Sequence, residues 1–217
     1  MGGCVRDSLL GRPVHDWDLA SSALPDQVLR VFSGDHCLTN GLPHGTVTVV
    51  RNGKPYEITT FRKDGPYGDH RRPETVRLGV SLRADLARRD FTVNAMAYSE
   101  ETGLVDPFRG EADLRAGILR AVGDADCRFS EDALRILRAL RFASELGFVI
   151  ERATSEAMHR QKAGLAFISA ERIGAEFTRL LCGADAARVL MTAPEIILQV
   201  LPELRPCLRC AQNTPYH

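Results

Sequence analysis

The first half of the chain alternates patterns typical of strands with patterns typical of helices. Residues 46–50 and 56–61 are rich in β-branched and aromatic residues, and the intervening Asn-Gly-Lys-Pro of residues 52–55 is typical of a hairpin turn. Residues 24–32 and 81–88 have helical spacing of apolar positions. This mixture predicts an α/β unit with a mixed sheet.

From about residue 111 the pattern changes to helices throughout. Leu134, Leu137 and Leu140 form an apolar stripe at helical spacing. Ser130 is the expected N-cap of that helix, and Gly147 is the expected stop signal. Further helices are predicted at about 151–163, 169–182, 185–192 and 194–200.

The change near residue 110 divides the chain into an α/β head, residues 1–110, and an all-helical neck, residues 111–217. The 217 residues are 44% apolar and 26% charged, which is ordinary for a globular protein. No apolar run reaches the roughly 18 residues of a membrane span, and no secretory signal is visible. The six scattered cysteines suit reduced thiols in a cytoplasmic protein, and Cys207-x-x-Cys210 lacks a second pair for a zinc site.

The first eighteen residues carry a candidate phosphate and metal site. Gly2-Gly3 followed by Arg6 is a turn that lets the backbone approach a polyphosphate, while the arginine supplies charge. In Asp16-x-Asp18, an extended backbone places both carboxylates on one side. Such carboxylates repel each other unless a cation lies between them, and Mg²⁺ is the usual cation beside phosphates. The alternative for this short motif is a solvated turn.

The spacing from Gly2 to Asp18 resembles the head of bacterial CCA-adding tRNA nucleotidyltransferases and their poly(A) polymerase relatives. The resemblance implies a polymerase-β-like nucleotidyltransferase head followed by a helical neck. It implies that Asp16 and Asp18 are catalytic ligands for Mg²⁺ and that Gly3 and Arg6 cradle a triphosphate. In this family a strand precedes the glycine turn and helical domains follow the neck, so we expect a chain truncated at both ends.

Two further residues of the head, Glu57 and Arg89, are candidates for the site. Glu57, on the predicted strand 56–61, is the candidate third catalytic carboxylate, and its alternative is a surface strand residue. Residues 88–95 resemble the R-R-D-F-T-x-N-A motif of the family, which carries a nucleotide contact onto Arg89. Asp90 and Asn94 are expected to hold this turn through hydrogen bonds to the backbone.

Residues 131–135 match the E-D-x-x-R motif of the family. Asp132 and Arg135 are three apart on a predicted helix, so both reach one patch of surface, with a solvated salt bridge as the alternative. Cytosine and adenine share an amine donor beside a ring-nitrogen acceptor, which a carboxylate and a guanidinium complement. Uracil and guanine reverse this pattern and leave both groups mispaired. Arg138 and Arg141 extend the motif and are expected to contact the triphosphate.

These motifs predict an enzyme that adds C, C and A to the 3′ end of tRNA from CTP and ATP without a nucleic-acid template. No membrane association is predicted. Residues 62–73 match the flexible loop that relatives associate with the switch from C to A addition, and residues 41–49 lack a basic, phenylalanine-containing stretch typical of poly(A) polymerases. A poly(A) polymerase and an inactive RNA- or nucleotide-binding fragment are the alternatives. Trp17 is predicted to lie in the core, and no metal is assigned to His15, His44 or His70.

Overall fold

The structure is a computed structural model that describes residues 1–14, 16–65 and 75–209. His15, His70, Cys210 and residues 66–73 of the predicted loop lie outside the described residues. The helices are α1 Gly3–Leu9, α2 Pro25–Val31, α3 Leu82–Ala87, α4 Gly110–Ala116, α5 Ala125–Glu131, α6 Leu134–Leu146, α7 Arg152–Gln161, α8 Ala170–Leu181, α9 Ala186–Thr192 and α10 Pro194–Val200. The strands are β1 Leu19–Ser21, β2 His36–Leu38, β3 Thr46–Arg51, β4 Lys54–Thr60, β5 Arg62–Asp64, β6 Val76–Leu78, β7 Ala97–Ser99, β8 Gly103–Val105, β9 Ile118–Leu119 and β10 Val149–Ile150.

Four strands form the sheet of the head, in the order β1-β4-β3-β2. Strand β1 is parallel to β4 and the other pairs are antiparallel, which confirms the predicted mixed sheet. The β3–β4 hairpin turns at Asn52 and Gly53, whose φ angles of 53° and 73° are both positive, as a type I′ turn requires. Val47 and Val49 alternate inward along β3 and pack with Val28 of α2.

The helical neck is confirmed, with one addition. Strands β9 and β10 form a two-residue parallel pair within it, with Val149 beside Ile118. The predicted stripe on α6 is buried, since Leu137 and Leu140 are at most 1% exposed. Gly147 ends α6 in the left-handed conformation with φ 71°, as predicted.

The predicted start of this helix at Ser130 is wrong. Ser130 lies inside α5, whose N-cap is Asp124, because its side chain accepts a hydrogen bond from the Cys127 amide at 2.8 Å. The chain breaks at Asp132, which has an extended backbone with φ −146°. Its Oδ1 accepts from the amide of Leu134 at 3.1 Å, a local turn that competes with a continuous helix.

The main apolar core runs across the head and the neck. It joins Cys4 and Val5 of α1 to Phe91 and Val93, and to the buried face of α6. Three 3₁₀ helices lie among these elements, at Leu42–His44, Thr92–Asn94 and Lys162–Phe167, and a fourth spans Pro202–Arg209. No helix of the described residues has the length and apolar character needed to cross a bilayer.

Candidate active site

A cleft of about 750 Å³ lies between α1, the D-x-D segment, the 88–94 segment and α6. Eight arginines and five aspartates contribute to its lining, so the described part of its wall is predominantly basic. Nine of the ten residues predicted for the site line this cleft, namely Gly3, Arg6, Asp16, Asp18, Arg89, Asp132, Arg135, Arg138 and Arg141.

Gly2 is the glycine that the local geometry requires. Its φ is 81°, and an added Cβ would lie 2.4 Å from Nη1 of Arg89. Gly3 instead opens α1, and the nearest atom to its added Cβ would be Nη2 of Arg6 at an ordinary 3.6 Å. The absence of a side chain at Gly2 therefore leaves room for the Arg89 guanidinium against the backbone of this turn, while Gly3 lines the cleft.

Asp16 and Asp18 are exposed and lie immediately before β1. Trp17 between them is 54% exposed, so its predicted place in the core is wrong. The reason is that residues 16–18 precede the paired strand, and the opposite side of this segment has no core to face. Both carboxylates, Asp16 and Asp18, line the cleft.

Glu57 lies outside the main cleft. It is an exposed residue of β4, and it lines a neighbouring cavity of about 170 Å³ together with Asp18 and Arg89. Leu19 pairs with Ile58, so the same parallel register continued by one residue brings Asp18 beside Glu57. Asp18 and Arg89 are thus shared by the two cavities.

Asp16 and Asp18 fit a magnesium site in which phosphate and water complete the coordination. Among the described residues, no three His, Cys, Asp or Glu side chains come together in a group able to hold a metal unaided. Mg²⁺ beside phosphates uses one or two carboxylates and completes its coordination with phosphate oxygens and water. The hard oxygen donors of Asp16 and Asp18, exposed in an arginine-lined cleft, suit such an ion.

A buried hydrogen-bonded network connects α1 to α6. Nη1 of Arg6 donates to Oδ1 of Asn94 at 2.6 Å, and Nδ2 of Asn94 donates to Oδ1 of Asp90 at 3.1 Å. Oδ2 of Asp90 accepts from Nε and Nη2 of Arg138 at 2.9 and 2.7 Å. Asp90 also accepts from the amide of Phe91 at 2.8 Å, which agrees with its predicted role in the turn.

Asp90 is ionised in this network. Burial is the largest influence and raises its pKa, but the charge and hydrogen bonds of Arg138, with the amide of Asn94, outweigh it. Together these influences lower the pKa of Asp90 to about 2. The attraction of Asp90 in turn raises the pKa of Arg138.

Arg89 has few short hydrogen bonds for a largely buried guanidinium. Its Nη1 donates to the carbonyl of Asn94 at 3.4 Å, and its Nη2 lies 3.7 Å from Oδ2 of Asp85. Its buried Nε has no hydrogen-bond partner in the described structure. Burial lowers the pKa of Arg89, and Asp85 opposes this. An anion in the cleft would satisfy this desolvated cation.

Asp132 and Arg135 do not lie on one helix, contrary to the prediction, because the chain breaks between α5 and α6 at Asp132. Oδ2 of Asp132 accepts from Nη2 of Arg172 at 2.8 Å. Nη1 of Arg135 donates to Oε2 of Glu131 at 2.7 Å, and its Nη2 donates to the carbonyl of Arg88 at 3.0 Å. Both side chains nevertheless line the cleft, each held by a different ionic partner.

Arg141 is the most deeply buried arginine of the cleft, with 2% of its surface exposed. Its Nε donates to Glu176 at 2.5 Å and its Nη1 donates to Glu145 at 3.0 Å. Burial lowers its pKa, while these carboxylates oppose the change. The predicted triphosphate contact therefore depends on the N–H groups that these carboxylates leave unused.

The sequence matches a known family over more than half of its length. Residues 1–120 of the 217 match the family described as "Poly A polymerase head domain". The chain belongs to this poly A polymerase head domain family. Residues 147–208 match a second family, described as "Probable RNA and SrmB- binding site of polymerase A". The family resemblance read from Gly2 to Asp18 is confirmed.

Several similar proteins are CCA-adding enzymes. That of Geobacillus thermodenitrificans (strain NG80-2) is 50% identical over 190 residues, which are 88% of this chain and 46% of that protein. A crystal structure of the Bacillus stearothermophilus CCA-adding enzyme in complex with CTP is 47% identical, with a TM-score of 0.80 over 89% of this chain and 46% of that one. The chain thus spans about half the length of the curated relatives it matches.

A more distant structure shows a tRNA nucleotidyltransferase complexed with a primer tRNA and an incoming ATP analog. It is 30% identical, with a TM-score of 0.73 over 92% of this chain and 58% of that one. These likenesses confirm the nucleotidyltransferase head and helical neck as the fold of this member of the poly A polymerase head domain family.

Arg172 and Phe142 are residues of the cleft that the sequence analysis did not single out. Arg172 reaches Asp132 from α8, 40 positions along the chain, and no local spacing signals such a pair. Phe142 follows Arg141 on α6, and its ring lines the cleft among arginines. Only the packing of α1 and α8 against α6 reveals either residue.

Proposed function

We propose that this chain is the catalytic head and nucleotide-selecting neck of a CCA-adding tRNA nucleotidyltransferase. It would transfer CMP or AMP from CTP or ATP to the 3′-hydroxyl of tRNA in the cytoplasm, releasing pyrophosphate. The curated relatives named CCA-adding enzymes and the CTP-bound neighbour support this assignment. We keep residue 110 as the proposed boundary between head and neck.

The arrangement of the cleft carries the proposal. Exposed Asp16 and Asp18 stand in one wall, and Asp132 and Arg135 stand in the α5–α6 link and α6. Other arginines line the same cleft, in which a triphosphate would join a base to a metal site. A nucleotide therefore fits with its base toward the neck and its phosphates toward the D-x-D segment.

Asp16 and Asp18 are the proposed metal ligands, and together with Glu57, which lies beside Asp18, they are the proposed catalytic carboxylates. Mg²⁺ bound there with the phosphates supplies charge that lowers the pKa of an attacking hydroxyl and stabilises the departing pyrophosphate. The protein contributes position, since Arg6 and Arg89 orient the triphosphate relative to these carboxylates. Arg138 and Arg141 would bind the same anionic group from α6.

Asp132 and Arg135 are the proposed readers of the base edge. Oδ1 and Oδ2 of Asp132 each hold one protein donor, so a carboxylate with about four acceptor positions keeps room for an exocyclic amine. Nη1 and Nη2 of Arg135 are fixed by Glu131 and by the Arg88 carbonyl, which restricts where its remaining N–H groups point. A fixed acceptor and donor suit cytosine and adenine and reject uracil and guanine.

The experiment is a primer-extension assay with tRNA that lacks its CCA end, with each nucleotide offered singly and with CTP and ATP together. Ordered addition of two C and one A, without UTP or GTP incorporation, supports the proposal. Long runs of A identify a poly(A) polymerase instead. Nucleotide binding without any extension identifies an inactive binding fragment.

A further inference from the structure

The ring of Phe142 is surrounded by guanidinium groups. Phe142 is only 5% exposed, on α6, and its ring lines the cleft. The Cζ atoms of Arg141, Arg6 and Arg138 lie 3.9, 5.0 and 5.4 Å from the ring centroid. All three distances are within the range in which an aromatic ring attracts a cation.

Each of these guanidinium groups is also held by a carboxylate. Arg6 binds Asp7, Arg138 binds Asp90, and Arg141 binds Glu176 and Glu145. A guanidinium has five N–H donors in one plane, so contact through its face uses none of them. The carboxylates occupy only some of these donors and leave others of these cleft-lining arginines for an anion.

Gathering three like charges around one point is costly unless something compensates the repulsion. The carboxylates compensate it but also offset the positive charge that attracts phosphate. The ring attracts the cations through its quadrupole and adds no net charge. Phe91 stacks on it edge-to-face at 5.9 Å, with an interplanar angle of 81°, which fixes the plane of the ring within the core.

We propose that Phe142 is a positioning residue for triphosphate binding, because its ring aligns Arg6, Arg138 and Arg141 while leaving their donors for phosphate. This inference rests on the proposed function of these arginines. It predicts that the ring acts on the phosphate part of a nucleotide and is indifferent to the base.

The test measures binding of inorganic tripolyphosphate, CTP and ATP to this chain by calorimetry in the presence of Mg²⁺. Phe142→Leu keeps an apolar side chain but removes the ring, and we expect the Kd of all three ligands to rise about tenfold, equivalent to ~1.4 kcal/mol. Phe142→Tyr keeps the ring, so its Kd values should stay within about threefold of the wild type.

Phe129→Leu is the matched control. Phe129 is 1% exposed in the same apolar core, and no guanidinium stacks on its ring among the described residues. This variant should lower the melting temperature much as Phe142→Leu does but leave the three Kd values unchanged. The shared loss of packing is thereby separated from the loss of the ring.

Equal Kd values for Phe142→Leu and Phe129→Leu would overturn the inference, and so would a Phe142→Tyr variant as weak as Phe142→Leu. A change confined to CTP or to ATP would also overturn it, since the ring then acts on the base. The wild-type measurement tests the proposed function separately. If the wild-type protein binds neither tripolyphosphate nor nucleotide, the proposed function is wrong, and the inference about Phe142 is wrong as well.

Discussion

Arg172 donates from Nη2 to Oδ2 of Asp132 across 2.8 Å, and this ion pair ties α8 to the link between α5 and α6. Asp132 is 16% exposed in its side chain and Arg172 is 24% exposed, so the pair is shielded from much of the solvent. The carboxylate proposed to read the base is therefore oriented by a residue far from it in sequence.

Asp132→Ala and Arg135→Ala should relax base choice. Loss of either group removes the penalty for a mispaired base edge, so the ratio of kcat/KM for CTP over UTP should fall by roughly two to three decades. Arg141→Ala is the comparison and should weaken all nucleotides about equally, because a phosphate contact carries no base information. An unchanged ratio in both of the first two variants would place base selection elsewhere.

Arg172→Gln should reduce the same ratio by about tenfold, less than Asp132→Ala, since the carboxylate stays but loses its orienting partner. Arg160→Gln is the control, because Arg160 also makes an ion pair with an aspartate, Asp126, but in a more exposed position away from the cleft. The proposed link from α8 to base selection fails if both variants have the same CTP-to-UTP ratio.

Sequence reasoning succeeded where the determining interactions are local. The turn at Asn52 and Gly53, the stop at Gly147 and the grouping of Asp16 with Asp18 all depend on neighbouring residues. Each is fixed by backbone conformation or by residue spacing, which a sequence displays directly.

Sequence reasoning failed where contacts between residues far apart in the sequence determine the structure. Ser130 and Asp124 are both good N-cap types, and the helix that uses Asp124 is held to α7 by Asp126, which accepts from Arg160 at 2.6 Å and from Gln161 at 3.0 Å. Helix α1 was not predicted, because its Gly2-Gly3 start suggested only a turn. Its place follows from packing of Val5 into the main core.

Asp16→Ala and Asp18→Ala should each abolish nucleotide transfer and leave the melting temperature within a few degrees of the wild type. Both side chains are exposed, so their removal creates no cavity, whereas transfer loses its metal ligands. Asp26→Ala removes an exposed carboxylate of α2 outside the cleft and should stay active. Near-wild-type transfer with Mg²⁺ in either site variant would refute the metal assignment.

Gly2→Ala should lower both stability and nucleotide affinity. An alanine at φ 81° is strained by about 1 kcal/mol or more, and its Cβ would displace the Arg89 guanidinium. Gly3→Ala lies at a helical position with space for a methyl group, so its melting temperature should not fall. Thermal unfolding of both variants with and without CTP measures this difference, and equal losses in the two would contradict it.

Asp90 should make the fold sensitive to acid. Its folded pKa of about 2 lies below the ordinary 3.8, so the ionised form is stabilised in the native state. That contribution is fully present above the unfolded value and is lost as the pH falls from about 4 through about 2, and it amounts to ~2 kcal/mol. Urea unfolding of the wild type and of Asp90→Asn between pH 6 and pH 2 measures this contribution to the free energy of unfolding.

The wild type should be more stable than Asp90→Asn at pH 6, and this difference in the free energy of unfolding should shrink by about 2 kcal/mol toward pH 2. An advantage that stays constant over this range would show that Arg138 and Asn94 do not hold Asp90 in its ionised form.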